Sequence, residues 1–170
     1  MRVGEICRSP VVTCRRETGV PELARMMREH HVGAVIVVEE QDGLTAPVGI
    51  VTDRDLVVHV LAERLDPARL HAGDLLSGHL VTIDHREGVY EAIWQMRSQR
   101  VRRLPVVDAR CQLTGIVTMD DVTRFLAEEL GDVARVVPQQ IECEDRTRAA
   151  THHASEAPPV HPQAPRSGSA

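Results

Sequence analysis

The side chains best suited to chemistry in this chain occur twice, in one short pattern. Gly49–Ile50–Val51–Thr52–Asp53–Arg54–Asp55 is echoed by Gly115–Ile116–Val117–Thr118–Met119–Asp120–Asp121. Each copy starts as a β-branched apolar run and ends in Thr-x-x-Asp, a strand running into a helix. Two uses of that ending are open. As a capping box, Thr52 or Thr118 caps the helix and the acid three residues on reaches back. As a ligand site, the same hydroxyl bonds a ribose or phosphate oxygen, and the helix N-terminus favours phosphate. Asp55 or Asp121 would then accept both hydroxyls of a ribose, as acids do at dinucleotide sites. The Gly before each strand lets backbone approach a flat base closely.

Several kinds of chemistry are missing from the sequence. There is no GxSxG, HExxH or GxxxxGK[ST] pattern, so no catalytic residue is expected and the chain does not read as an enzyme. Asp53, Asp55, Asp120 and Asp121 could hold Mg²⁺ beside a nucleotide's phosphates, as an ion carried by the ligand. Otherwise no metal site is expected. Cys7, Cys14, Cys111 and Cys143 form no CxxC pair and have no His at zinc-finger spacing, so they read as small apolar residues or bystanders. The formal net charge is −5 and all 20 basic residues are Arg. An acidic chain is a poor generic phosphate-backbone binder. One Trp, one Tyr and one Phe leave too few stacking platforms for single-stranded nucleic acid. The N-terminus lacks the apolar run of a signal peptide and no stretch is long enough to span a membrane. Nucleic acid and membrane are therefore not expected partners, and a reducing cytoplasm is the expected compartment.

The elements that must position these residues are also duplicated. An offset of 69 lays Val3–Gly4 on Ala72–Gly73, Val12–Thr13 on Val81–Thr82, Gly19–Val20 on Gly88–Val89 and Val37–Val38 on Val106–Val107. After the segment Glu39–Pro47, read as a loop, the offset drops to 66. Each half reads as a short opening turn, a brief strand, a helix, two apolar strands and a closing helix. The closing helices are expected over Asp53–Arg64 and Met119–Leu130, the second ending at Gly131. Their apolar faces (Leu56, Val60, Leu61; Val122, Phe125, Leu126) are expected to meet a second copy in a homodimer. Residues 1–65 and 66–137 form the two motifs, and 138–170 read as a disordered tail without apolar periodicity.

A β-α-β-β-α unit in tandem, each copy ending Gly-apolar-apolar-Thr-x-x-Asp, resembles the CBS domain family. The stretch Arg102–Arg103–Leu104–Pro105–Val106–Val107–Asp108 also resembles that family, in which a basic pair often precedes LPVVD. The resemblance covers about residues 1–135. It implies an α/β (α+β) fold of two motifs related by a pseudo-twofold axis, with two clefts between them. It implies a regulatory module that binds AMP, ADP, ATP or S-adenosylmethionine and signals to an effector protein. The other reading is a dimerising interaction module with empty clefts. By the same resemblance at least one of Arg102 and Arg103 contacts phosphate. Strand alternation sends the two to opposite faces, so one could serve each cleft or one could be a surface charge. The resemblance also implies that the first strand of each half lines the adenine pocket, largely through backbone and apolar groups. The side chains of Thr13 and Thr82 read either as part of that lining or as ordinary strand residues.

The halves differ in charge. Gly33–Ala34 stands where the second half has Arg102–Arg103, so the clefts should not be equivalent. Arg54 could compensate in one, whereas Asp120, at the matching place, would repel phosphate if it faced a cleft. His30–His31 reads either as a pH-dependent charge or as a helix-end cap.

Overall fold

Two three-stranded sheets carry the fold, and both are assembled the same way. The structure, a computed structural model, describes residues 1–41, 43–76 and 78–155. Contacts divide it into one unit, Met1–Leu126, and a second, Ala127–Ala170. In the first sheet β1 (Thr13–Cys14) runs parallel to β2 (Ala34–Gln41), which pairs antiparallel with β3 (Leu44–Thr52). In the second, β4 (Ile83–Asp84), β5 (Arg103–Val107) and β6 (Leu113–Thr118) repeat that order. Both ladders shift register at the same place, after Val37↔Gly49 and after Val106↔Gly115. The sequence offset is therefore a structural one, and the two motifs are related by a pseudo-twofold axis.

Parallel neighbours need a crossover, supplied by α2 (Val20–Glu29) and α4 (Val89–Ser98). Both helices stop in the same way without a glycine. His31 and Arg100 take left-handed φ of 53° and 56°. The Val32 N–H then donates back to the Met27 carbonyl at 3.0 Å, and the Val101 N–H to Met96 at 2.9 Å. This Schellman ending satisfies the last carbonyls and turns the chain into the next strand. His30 and His31 therefore form the helix end.

The two aliphatic cores are exchanged at their edges. The opening helix α1 (Val3–Ile6) buries Val3 fully, but in the core of the second sheet. The 3-10 turn Ala72–Leu75 buries Ala72 and Leu75 in the core of the first. Backbone bonds hold both reciprocally. Val3 and Gly4 donate to Glu87 and His85 at 2.8 and 2.9 Å, as Ala72 and Gly73 donate to Thr18 and Arg16 at 2.8 and 2.9 Å. A four-residue turn has no core of its own, so it survives only where another element covers it.

Several expectations need correcting. Glu39–Pro47 is not a loop: the strands run on, pairing Glu39↔Ala46 and Gln41↔Leu44, and Gly43 turns at φ 76°. A left-handed glycine at a hairpin tip favours extension over a loop. The closing helix of the first half is α3 (Asp53–Asp55) followed by a π-helix, Leu56–Leu61, in which Ala62 N–H reaches Val57 O at 2.9 Å. The closing helix of the second half, α5 (Met119–Ser155), passes Gly131 and Pro138 without ending, so the tail is helical to Ser155. Good helix formers (Gln, Glu, Arg, Ala) dominate that stretch, and propensity does not require apolar periodicity. The part of the expected tail beyond Ser155 lies outside the described residues. Finally, Val60 and Val122 are core residues at 1% exposure, and Leu56, Phe125 and Leu126 pack half-buried beside them. Of the expected dimer face only Leu61 is exposed. Val57, Val58, Leu65, Tyr90 and Trp94 are the other large apolar residues left open on the first unit, apart from Met1. No helix among the described residues is long and apolar enough to cross a membrane.

Candidate functional site

Both Thr-x-x-Asp patterns form capping boxes. The Thr52 N–H and hydroxyl donate to Asp55 Oδ2 at 2.8 and 2.7 Å, and the Asp55 N–H donates back to the hydroxyl at 3.2 Å. Thr118 donates likewise to Asp121 Oδ2 at 3.0 and 2.5 Å, and receives the Asp121 N–H at 3.3 Å. The structural use of the motif is thus present twice.

What surrounds the two acids differs. Asp55 is part-exposed, with only the exposed His59 imidazole 4.0 Å from its second oxygen. Asp121 is 6% exposed, and Arg8 Nε donates to its Oδ1 at 2.7 Å. Burial pushes the Asp121 carboxyl up, but hydrogen bonds from Thr118 and Arg8 and the charge of Arg8 outweigh that and hold it below its usual range. Arg8 is anchored by its own backbone, which exchanges hydrogen bonds of 2.9 and 3.1 Å with Ile116 at the edge of β6.

Two clefts lie between the halves at pseudo-equivalent positions. The larger, about 280 Å³, is lined by Val12, Val32, Ala34 and Ile116. Their counterparts Val81, Val101, Arg103 and Ile50 line the smaller, about 130 Å³. The difference follows from side-chain size. Leu76 fills the smaller cleft against Gly49, where an added Cβ would stand 2.3 Å from it. The matching residue on Gly115 is the shorter Cys7. Ligand pockets generally start near 300 Å³. Of these two clefts only the larger comes near that, while a wider open hollow of about 460 Å³ lies elsewhere, bordered by Thr13.

Arg8, His31, Gly33, Arg103, Thr118 and Asp120 also line the larger cleft. The Arg103 guanidinium stands over Gly33, 3.4 Å from where a Cβ would be. Among the described residues no side-chain hydrogen bond or ion pair engages it. Gly33 thus leaves room for the arginine that its half lacks. Arg103 also borders the smaller cleft. Asp120 faces the larger cleft, the arrangement expected to oppose phosphate.

Of the expected ligand residues, then, Arg103 and Thr118 come together at one cleft. Thr52, Arg54, Asp55, Arg102 and Asp121 line neither cleft. Arg102 is exposed just before β5, so the pair does not serve the clefts one residue each. Thr82 lies outside both clefts, and Thr13 borders a separate open hollow with Glu22 and Glu40. Asp53, Asp55, Asp120 and Asp121 do not converge on a Mg²⁺ position. Among the described residues no three His, Cys, Asp or Glu side chains are placed to hold a metal. Sequence reasoning missed Arg8. Its counterpart at the offset of 69 is Ser77, and that loss of charge between the halves was the available signal.

The CBS domain family model matches residues 3–62 and 72–128. An uncharacterized protein of Methanopyrus kandleri is 40% identical over 120 residues, 71% of this chain and 60% of its own length. Hypoxic response protein 1 of Mycobacterium tuberculosis is 38% identical over 119 residues, 69% of this chain and 80% of its own length. Among solved structures, Hypoxic Response Protein I with two coordinated zinc ions is 31% identical, with a TM-score of 0.64, covering 73% of this chain and 98% of its own. A CBS domain protein of Pyrobaculum aerophilum complexed with AMP shares the fold at 24% identity and TM-score 0.64, over 71% of this chain and 89% of its own.

Proposed function

The chain belongs to the CBS domain family as a tandem pair, and we propose that it binds an adenine nucleotide in the larger cleft and signals its occupancy to a partner, with no chemistry of its own. The observation that carries this reading is Arg103. Its guanidinium is held over Gly33, with the Asp53 carboxylate on the same glycine. It makes no ion pair among the described residues and lines a cleft beside the N-terminus of α5, so it can take a ligand anion. The apolar side chains Val12, Val32 and Ile116 supply the complementary surface for a base. The Pyrobaculum neighbour, whose fold is the same, is complexed with AMP.

Charge narrows the ligand. Arg8 and Arg103 are countered by Asp120 in the cleft and Asp121 beneath it. With no net positive field, the cleft favours a monophosphate over a triphosphate. AMP should therefore bind more tightly than ATP, and loss of Arg103 should weaken AMP more than S-adenosylmethionine, whose only anionic group is a carboxylate. The readout is a second copy of the chain or an effector protein that meets the exposed apolar residues Val57, Leu61, Tyr90 and Trp94.

Calorimetric titration of the full chain with AMP, ATP and S-adenosylmethionine tests this. The expected result is AMP binding at one site per chain, weakened about 10- to 100-fold in Arg103→Ala, the range for a charge-assisted hydrogen bond. If none of the three binds at millimolar concentration, the clefts are empty and the chain is an interaction module.

A further inference from the structure

We infer that Arg8 is a phosphate-contacting residue of the larger cleft and that Asp121 acts through it, as the positioning residue that aims its guanidinium. This deepens the nucleotide reading above and rests on it. Acids that close a Thr-x-x-Asp pattern at a ligand site are expected to take the ribose hydroxyls directly. Here the geometry points elsewhere. Asp121 does not line the cleft, is 6% exposed, and has one oxygen taken by Thr118 and the other by Arg8 Nε. Arg8 does line the cleft, with its side chain 56% exposed.

The guanidinium has five N–H donors in a fixed fork. Bonding Asp121 through Nε commits one donor and leaves the terminal nitrogens for a second anion. The pair is fixed at both ends. Asp121 sits in the capping box of α5, and the Arg8 backbone is paired to Ile116. A carboxylate below and a phosphate above would share one planar cation. An arginine can serve two such partners and a lysine's point charge cannot do so with the same geometry. Arg8 comes from the chain's opening segment, which crosses onto the second repeat, so each half contributes a cation, Arg8 and Arg103.

The test compares AMP with adenosine, which differ only in the phosphate. Affinities of both are measured on the full chain for Asp121→Asn, Arg8→Gln, the double variant and Arg8→Lys. Asn keeps the size of Asp, and Arg8→Gln changes an exposed side chain, so the fold is retained. The expected result is an AMP affinity about tenfold weaker in each single variant, with adenosine changed less than about twofold. The double variant should be no worse than either single one, as for two residues acting as a unit. Arg8→Lys should restore only part of the loss. Equal weakening of AMP and adenosine in Asp121→Asn would show a direct ribose contact and overturn the inference. So would an Arg8→Gln chain that binds AMP like wild type. A wild-type chain that binds neither ligand would overturn the nucleotide reading itself, and this inference with it.

Discussion

The two repeats carry the same capping box, yet only one is built into a candidate site. Thr52–Asp55 and Thr118–Asp121 make the same three hydrogen bonds within a few tenths of an ångström. Capping accounts for the motif in both places. What separates them is supplied from elsewhere in the chain. Arg8 reaches Asp121, Arg103 overhangs Gly33, and Leu76 fills the cleft whose counterpart Cys7 leaves open. A repeated motif fixes the backbone of a site, and its non-repeated neighbours decide whether a ligand can use it.

Two comparisons between the halves, one with a pH dependence, and one within the second half test that statement. The largest effect is expected at the two buried glycines. A Cβ at Gly115 would meet Cys7 Sγ at 2.7 Å and the Arg8 carbonyl at 3.0 Å, and a backbone carbonyl cannot swing aside. At Gly49 the closer clash, 2.3 Å, is with the end of the Leu76 side chain, which can. Gly115→Val should cost about 3 kcal/mol and Gly49→Val about 1, read from urea denaturation midpoints. The reverse order would mean that Leu76, not the Arg8 strand, is the rigid partner.

Next come the acids. Asp55→Ala removes a cap and should cost about 1 kcal/mol. Asp121→Ala also strips Arg8 of its partner and empties a buried site, and should cost about 2 kcal/mol. The second difference should depend on pH. A carboxyl held below its usual range stabilises the fold fully above about pH 4, where the unfolded group ionises, and loses that contribution as pH falls through its folded value. Thermal melts from pH 7 to 3 should show the gap between wild type and Asp121→Ala narrowing on the acid side. The smallest effect is expected at Arg102. It is exposed outside the clefts, so Arg102→Ala should change AMP affinity less than about twofold while Arg103→Ala abolishes most of it.

Much of this was legible in the sequence. The offset of 69 carried over to the register shifts, the Schellman endings at His31 and Arg100, and the reciprocal turns at Val3 and Ala72. Such features are local, and a repeat copies local rules intact. The site was less legible because it is made where the two copies meet. Arg8 lies 113 residues from Asp121, and no periodicity connects them. Strand alternation sent Arg102 and Arg103 to opposite faces without saying which face meets a cleft; only Arg103 lines one, and Arg102 is exposed. The length of α5 was missed for the opposite reason: a missing apolar stripe says nothing about whether a helix forms, only about what it can bury.

The exchanged opening turns have a consequence for how such a chain could arise. Val3 completes the core of the second sheet and Ala72 that of the first, through matching bonds to Glu87 and Thr18. A single motif folded alone would leave its sheet uncovered and its own turn unattached. Two identical motifs would satisfy each other only as a swapped twofold pair. The tandem chain is that pair with its ends joined, so cutting between residues 65 and 66 should yield two fragments that fold together and neither that folds by itself. Joining the ends also freed the copies to diverge, and a residue such as Arg8 could then appear in one half alone without its image in the other.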